Sequence, residues 1–288
     1  MKILVTGGAG FIGTALVRCL LDGRHTVRSI DPIPTPSRDV DAIRADLRDT
    51  GALRRALKGI EVVYHLAWAF CPKDGRREIE ENLLGTLTLL EACRQANVRQ
   101  LVFASTAVVY GPTGDRTVHE GDACHPGQTT IGGPAYGITK LACEGHCLAA
   151  SRDGPTATIL RLHGVFDETH LGPFAPMIEE ARKGKDVVAI AEAGGPYAHI
   201  DDVIQALDGV LARNEALGEV FNVAGHRFIR DAEIAAYIAK RAGGCRVVPR
   251  SDPSQGMIRV STDKLRHKIA YAPRGDDFLR AAIDAHLR

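Results

Sequence analysis

The chain has 288 residues, of which 45% are apolar and 25% charged, so it can bury a substantial core and fold on its own. Its 36 Lys and Arg against 35 Asp and Glu give a net charge of +1, which excludes a broad attraction to nucleic acid or to an anionic membrane. The seven scattered Cys form no CxxC pair or zinc-like cluster, so we expect no metal site and a reducing, cytoplasmic location.

The first predicted elements are a strand, a glycine-rich turn and a helix. The strand, Ile3–Val5, belongs to an apolar run too short for a signal peptide or a membrane span. Gly7, Gly10 and Gly13 follow it, at the start of a helix predicted over 11–20. Glycines at this spacing allow a sharp turn and a close approach to a pyrophosphate, and the helix N-terminus offers free N–H groups. The segment therefore predicts a dinucleotide site.

An acidic residue follows the second predicted strand, Thr26–Ile30. Asp31 stands 18 residues beyond Gly13, where its carboxylate can accept hydrogen bonds from the adenosine ribose hydroxyls and repel a ribose phosphate. No basic residue is directly next to it, since Pro32 follows. The sequence therefore predicts NAD rather than NADP.

Strands and helices continue to alternate through the first half of the chain. This alternation predicts βαβ units and a doubly wound parallel sheet of the Rossmann type. The remaining predicted strands are Ile43–Ala45, Val62–Leu66, Leu101–Ala104 and Thr158–Leu162, with helices at about 50–58, 77–96 and 135–151. The helix over 77–96 carries too many apolar residues for one stripe, which indicates a second buried face and fits a homodimer.

The pattern becomes irregular after Val165 and then regains α/β character over 201–222. Helices are predicted at Phe174–Arg182, at Asp231–Ala242 and near the C-terminus, with Asp201 and Asp202 as helix N-caps. We expect an NAD-binding domain of residues 1–165 and 199–224. Residues 166–198 and 225–288 are predicted to form a smaller, interleaved C-terminal substrate lobe.

A tyrosine and a lysine begin the helix predicted over 135–151. Tyr136 and Lys140 lie four residues apart, so both side chains share one helix face. A free phenol titrates near 10, and a neighbouring ammonium favours the phenolate that can act as a base. With the glycine turn and the segment Ser105–Gly111, this pair resembles the extended short-chain dehydrogenase/reductase superfamily, in its NAD-dependent epimerase/dehydratase branch.

The resemblance implies roles for individual residues. Thr106 would bond the reacting oxygen, Tyr136 would exchange the hydroxyl proton, and Lys140 would also hold the nicotinamide ribose. The other implied cofactor contacts, from the pyrophosphate to the adenine and along the cofactor, are Gly7, Gly10, Phe11, Ile12, Gly13, Asp31, Asp46, Leu47, Leu66, Ala67 and Ala104. Trp68 and Phe70 either form a wall of the substrate site or pack within their loop.

Three departures from the family pattern bear on the substrate. Ala107 and Val108 follow Thr106 where dehydratases carry an acid and a base, so we expect no dehydration. His163 stands where many members have an asparagine that contacts the nucleotide sugar, and Gly194–Tyr197 replaces a stretch with a diphosphate-binding basic residue. The remaining candidate substrate contacts are Thr106, His163, Tyr197, Arg259 and Arg274.

Three functions are compatible with these residues. The first is an NAD-dependent epimerase of a nucleotide-linked sugar, in which a ring hydroxyl is transiently oxidised. The alternative is an NAD-dependent dehydrogenase or reductase of a sugar, sugar acid or other secondary alcohol, with the same residues used once. The third, a non-catalytic NAD-binding protein, is opposed by the intact Thr106, Tyr136 and Lys140. The expected partner is a small molecule, a nucleotide sugar or related polyol.

Overall fold

A parallel sheet lies at the centre of the computed structural model, which describes residues 1–275 and 277–287. Its strands are β1 (Lys2–Thr6), β2 (Thr26–Asp31), β3 (Asp41–Arg44), β4 (Val62–His65), β5 (Gln100–Thr106), β7 (Thr156–Leu162) and β10 (Val220–Val223). The other strands are β6 (Thr117–Val118), β8 (Val187–Ile190), β9 (Gly194–Gly195), β11 (Ile229–Arg230), β12 (Val247–Arg250) and β13 (Arg259–Val260). The sheet has seven strands in the order β10-β7-β5-β4-β1-β2-β3.

Helices cover both faces of this sheet, and further helices pack away from it. The helices of the described residues are α1 (Phe11–Asp22), α2 (Thr50–Ala56), α3 (Gly75–Gln95), α4 (Tyr136–Ala150), α5 (Ala175–Arg182), α6 (Ile200–Gly209), α7 (Asp231–Ala242), α8 (Asp263–Ile269) and α9 (Asp277–Leu287). On one face, Leu16 of α1 and Leu207 of α6 share an apolar cluster with the sheet. On the other, Leu89 of α3 and Cys143 of α4 do the same. The fold is the predicted doubly wound one, with both faces of the sheet buried.

The strand order reverses between β1 and β4, which are adjacent in the sheet although two strands separate them in the chain. In open α/β sheets, ligands bind outside the carboxyl ends of the strands at such a switch point. The loops after β1 and β4 therefore mark the place where a functional site is expected.

Elements late in the chain form a further apolar cluster. It includes Phe174, Ile178 of α5, Ile234 and Ile238 of α7, and Ile283 of α9. Short strand pairs accompany these helices, with β8 beside β12 and β9 beside β11. The proposed boundaries of the two lobes remain a prediction. In the described part of the chain, no helix combines the length and the apolar character needed to cross a membrane.

The observed elements extend or shift several predicted bounds. The β3 strand ends at Arg44 rather than Ala45, and β5 continues to Thr106. The prediction that Asp201 and Asp202 cap α6 was wrong by two and three positions: His199 is the N-cap, and its Nδ1 accepts a hydrogen bond from the Asp201 amide at 3.2 Å. The two aspartates lie in the first turn, where negative charge favours the helix dipole.

Candidate active site

The glycine turn between β1 and α1 packs against the loop after β4. Gly7 has a φ of +73°, and a Cβ placed there would lie 2.7 Å from the Ala67 Cα. A Cβ at Gly13 would lie 2.0 Å from the Gly7 carbonyl oxygen. Larger residues cannot occupy these positions without moving backbone. The first turn of α1 thus approaches the switch point with its N–H groups unpaired within the helix.

A cavity of about 380 Å³ lies beside this turn. Of the predicted cofactor contacts, its lining includes Gly7, Gly10, Asp31, Asp46, Leu47, Leu66 and Ala67. The Asp31 carboxylate accepts hydrogen bonds from the amides of Ala9 and Ile33, at 3.2 and 3.0 Å. A bidentate contact from Arg48 lowers the pKa of Asp46. The glycine cradle, the acidic strand end and the cavity fit the adenosine and pyrophosphate of NAD.

The loop after β4 is fixed by two buried side chains of α3. Asn82 accepts a hydrogen bond from the Ala69 amide at 2.7 Å and donates to the Ala69 carbonyl at 2.8 Å. Glu78 accepts from the Trp68 indole at 2.9 Å and from the Cys71 amide at 2.8 Å. These contacts place Trp68 between the smaller cavity and a second, larger one, since it lines both.

Tyr136, Lys140 and Thr106 come together in this larger cavity. The first turn of α4 carries Tyr136 and Lys140, and Thr106 ends the adjacent β5. Burial raises the pKa of the Tyr136 phenol, and a hydrogen bond with the Thr106 side chain opposes that rise. The predicted catalytic side chains are therefore neighbours, and the phenol and the hydroxyl can contact one substrate oxygen.

Lys140 is buried beside an aromatic ring. Its Nζ donates to the Ala104 carbonyl oxygen at 2.6 Å and lies 3.7 Å from the centre of the Trp68 ring. Burial lowers the pKa of Lys140 to about 7. A hydrogen bond and a cation–π contact thus stabilise the ammonium, while desolvation opposes its charge.

The larger cavity has a volume of about 570 Å³, in the range of small-molecule sites. Its walls are mostly apolar, and they include Ile12, Leu66, Trp68, Phe70, Val108, Ile131, Leu162, Val165, Pro173 and Ile258. Of the predicted contacts, Ala104, His163 and Tyr197 also line it. Burial lowers the pKa of His163 to about 4, so its imidazole is neutral near pH 7.

The structure does not bring Arg259 or Arg274 to this cavity. Arg274 forms an ion pair with Asp201 at 2.5 Å and lies over the Phe278 ring. Arg259 stacks on Phe228, 3.6 Å from the ring centre, pairs with Asp115 at 3.4 Å, and lines a separate cavity. Both guanidinium groups already have local partners, which explains why neither reaches the site.

Two other predicted cofactor residues, Phe11 and Gly13, line neither of these two cavities. Gly13 allows the turn to close on itself, as described above. The Phe11 ring packs on His170, with ring centres 4.5 Å apart.

Sequence reasoning missed Asp231 and Gly132 as site residues, although both line the larger cavity. Asp231 was interpreted only as the first residue of a helix, and Gly132 lies in an irregular loop. The only signals were an acidic residue at a helix start and a Gly-Gly pair, and both are common in ordinary helix starts and turns.

Known proteins resemble this chain over most of its length. Residues 3–224 match the family model described as the NAD dependent epimerase/dehydratase family. A UDP-glucose 4-epimerase of Corynebacterium glutamicum is 28% identical over 99% of this chain and 94% of its own length. A 3 beta-hydroxysteroid dehydrogenase/Delta 5-->4-isomerase of Mycobacterium tuberculosis is 30% identical over 81% of this chain and 65% of its own length.

A solved structure shows the same fold along the whole chain. It is the UDP-glucuronic acid 4-epimerase from Bacillus cereus in complex with UDP-glucuronic acid and NAD. It has a TM-score of 0.86 and 27% identity, and the match covers 100% of this chain and 98% of that one. These findings confirm the predicted fold and, through the NAD dependence of the family, the predicted cofactor. The chain belongs to the NAD-dependent epimerase/dehydratase family, in the extended short-chain dehydrogenase/reductase superfamily.

Proposed function

We propose that this protein is an NAD-dependent dehydrogenase or reductase of a secondary alcohol. The observation that carries the proposal is the grouping of Thr106, Tyr136 and Lys140 in a largely apolar cavity. Among the described lining residues, Lys140 is the only Lys or Arg. The site therefore supports proton and hydride transfer at a hydroxyl carbon but offers no separate cation for a phosphate.

Thr106, Tyr136 and Lys140 each have a separate role in the proposed reaction. The Thr106 hydroxyl bonds the substrate oxygen and orients it toward Tyr136. The Tyr136 phenolate receives the hydroxyl proton as the carbonyl forms, and the Lys140 ammonium stabilises the phenolate. NAD, when bound along the glycine turn, supplies the acceptor for the hydride that leaves the alcohol carbon. In the opposite direction, Tyr136 returns the proton to the oxygen of a ketone.

Apart from Lys140, the described lining residues offer no cation to hold a nucleotide diphosphate, which favours a single hydride transfer over epimerisation. An epimerase must retain its ketone intermediate while the sugar turns, and contacts to a nucleotide diphosphate provide such retention. Arg259 and Arg274, the predicted candidates for this role, lie outside the cavity. The neutral His163 and the Gly194–Tyr197 segment supply no replacement charge. A ketone formed here would be released after one transfer.

Epimerisation of a nucleotide-linked sugar is the second candidate. It is favoured by the near-complete coverage of the Corynebacterium glutamicum and Bacillus cereus epimerases. Both reactions use the same tyrosine, lysine and threonine, so the two proposals differ in the substrate and in the release of NADH. Dehydration has no support from Ala107 or Val108, since neither side chain can exchange a proton.

We also infer the predicted division into lobes and a homodimer. Residues 1–165 and 199–224 would hold NAD, and residues 166–198 and 225–288 would close the substrate side.

The dimer is supported by large apolar side chains that remain exposed on α3 and α4: Ile79, Leu84 and Ile138, at 43, 49 and 48%. A Leu84→Glu variant should then shift the protein from dimer to monomer in analytical ultracentrifugation. Wild-type protein that sediments as a monomer contradicts the dimer.

A substrate panel tests the proposed reaction. The purified protein is incubated with NAD and neutral secondary alcohols, free sugars, sugar acids or nucleotide sugars, while NADH absorbance and product identity are followed together. We expect NADH to accumulate with a non-phosphorylated alcohol and a ketone to form in equal amount. Isomerised nucleotide sugar without NADH would replace this proposal by the epimerase.

A further inference from the structure

The larger cavity contains a second charged side chain besides Lys140. Asp231, the first residue of α7, lines this cavity and is half-buried. Lys140 and Asp231 are the only Lys, Arg, Asp or Glu side chains among the described lining residues. The cavity wall formed by the start of α7 therefore carries a carboxyl group.

A tyrosine fixes one oxygen of this carboxyl group. The Tyr197 hydroxyl donates to Asp231 Oδ1 at 2.5 Å. Tyr197 packs closely against two glycines. A Cβ at Gly164 would lie 2.3 Å from the Tyr197 Cδ1, and a Cβ at Gly225 would lie 2.0 Å from the Tyr197 carbonyl oxygen. Within the described residues, the second oxygen, Oδ2, has no hydrogen-bond partner. The carboxyl group is thus oriented, with one oxygen left for a ligand.

Apart from Lys140, the described residues that line the cavity include no Lys or Arg that could compensate the charge of Asp231. His163 packs on Gly195, and a Cβ at Gly195 would lie 1.7 Å from His163 Nε2. A longer side chain at 195 therefore requires His163 to move. A phosphate or carboxylate on the substrate would meet the Asp231 carboxylate without neutralisation, which is costly in an apolar cavity.

We propose that Asp231 determines substrate specificity: its Oδ2 accepts a hydrogen bond from a second hydroxyl of an uncharged substrate, and its charge excludes phosphorylated or carboxylated analogues. This inference rests on the proposed function, because it assumes that the first hydroxyl reacts at Tyr136. The substrate class is a neutral polyhydroxylated molecule with an apolar face toward Trp68 and Ile131.

A matched pair of ligands tests the inference. Glucose and glucuronic acid share one ring and differ at C6, where glucose has a hydroxymethyl group and glucuronic acid has a carboxylate. They are compared as substrates of the full chain with NAD or, where neither turns over, as competitive inhibitors of the neutral substrate found in the panel. We expect wild type to favour glucose. Asp231→Asn keeps the side-chain size and removes the charge, so the preference for glucose over glucuronic acid should fall about tenfold.

Two further variants test and control for the role of Asp231. Tyr197→Phe leaves the Asp231 carboxyl without its donor and should weaken the preference for glucose in the same direction. Glu233→Gln changes an exposed carboxyl on the same helix and should leave the preference unchanged.

The outcomes separate the two proposals. A wild-type preference for glucuronic acid, or a glucose preference that Asp231→Asn and Tyr197→Phe both leave intact, overturns the role of Asp231. Continued turnover in Tyr136→Phe instead overturns the proposed function. Loss of turnover in Tyr136→Phe, together with an unchanged preference in the Asp231→Asn inhibitor assay, removes only the specificity proposal.

Discussion

The ring of Tyr136 lies against the backbone of Gly132. Gly132 has a φ of +80°, and a Cβ placed there would lie 2.5 Å from Tyr136 Cδ1. The next residue, Gly133, has a φ of +103°, and its Cβ would lie 2.7 Å from the Pro72 Cα. This Gly-Gly pair therefore lets one loop contact both the Tyr136 ring and the loop after β4.

Replacing Gly132 with Ala tests whether this contact positions the phenol. The added Cβ would displace the Tyr136 ring, and a displacement of about 1 Å at a reacting group can cost about a hundredfold in rate. We expect kcat to fall by about tenfold to a hundredfold while the Kd for NAD is unchanged. Stopped-flow turnover and NAD titration measure the two quantities.

Gly127→Ala is the matched control, because no atom lies within 4 Å of a Cβ at that position. It should leave kcat unchanged. An equal kcat in both variants would show that Gly132 does not position Tyr136.

For single residues, the sequence predicts contacts within one helix or strand better than contacts between different elements. The spacing of Tyr136 and Lys140 follows from helix geometry and is visible in the sequence. The approach of Asp231 to Tyr197 joins residues 34 positions apart, and no local pattern indicates it. Arg259 and Arg274 looked suitable by charge alone, but their partners are set by tertiary packing.

The N-terminal half of α3 fixes the loop after β4. Asn82 pairs with both the amide and the carbonyl of Ala69, and Glu78 holds the Trp68 indole. Trp68 in turn covers Lys140. One helix therefore sets the position of the loop after β4 and of an aromatic ring beside Lys140.

An Asn82→Asp substitution should loosen this loop. Aspartate keeps an acceptor for the Ala69 amide but loses the Nδ2 donor that bonds the carbonyls of Ala69 and Glu78, so buried oxygens are left facing another oxygen. We expect NAD to bind about tenfold more weakly, since the loss of one such hydrogen bond is worth ~1.4 kcal/mol. The chain has one tryptophan, so quenching of its fluorescence by acrylamide reports directly on Trp68.

Glu80→Gln changes an exposed residue of the same helix and should alter neither quenching nor NAD affinity. Unchanged quenching in Asn82→Asp would mean that the helix does not hold the loop.

The long elements of the sheet were predictable because their apolar patterns are strong. The strands from β1 to β7 in the large sheet and the helices α1 to α4 lie within a few residues of the predicted bounds. The sequence did not predict α8, which has seven residues and too few turns to show a period. The pairing of β6 with β13 joins two-residue segments 142 positions apart, at Thr117 and Arg259, so it is set by tertiary contacts.

Across the whole molecule, two buried histidines link stability to pH. Burial lowers the pKa of His163 to about 4, and burial with the nearby Lys140 charge lowers that of His65 to about 3. Both values lie below the ordinary 6.5, so the unfolded chain takes up protons that the folded chain does not. Their stabilisation is fully present above about pH 6.5 and is lost as the pH falls toward 4.

The free energy of unfolding should therefore decrease between about pH 6.5 and 4, by up to ~1.4 kcal/mol per pH unit for each histidine. Urea titrations across this range measure the slope. His163→Asn should make it shallower, because asparagine does not titrate. His146→Asn replaces an exposed histidine and should keep the wild-type slope. Equal slopes in both variants would contradict the neutral, buried state of His163.

The proposed function of the whole molecule depends on Tyr136 as the group that would transfer the proton in an NAD-dependent reaction, and a Tyr136→Phe variant measures this role. The substitution removes only the phenol oxygen, so NAD affinity should stay within about threefold of wild type. Turnover of the panel substrate should fall by about a hundredfold to ten-thousandfold, the usual contribution of a general base. Retained NAD binding with undiminished turnover would contradict proton transfer by Tyr136.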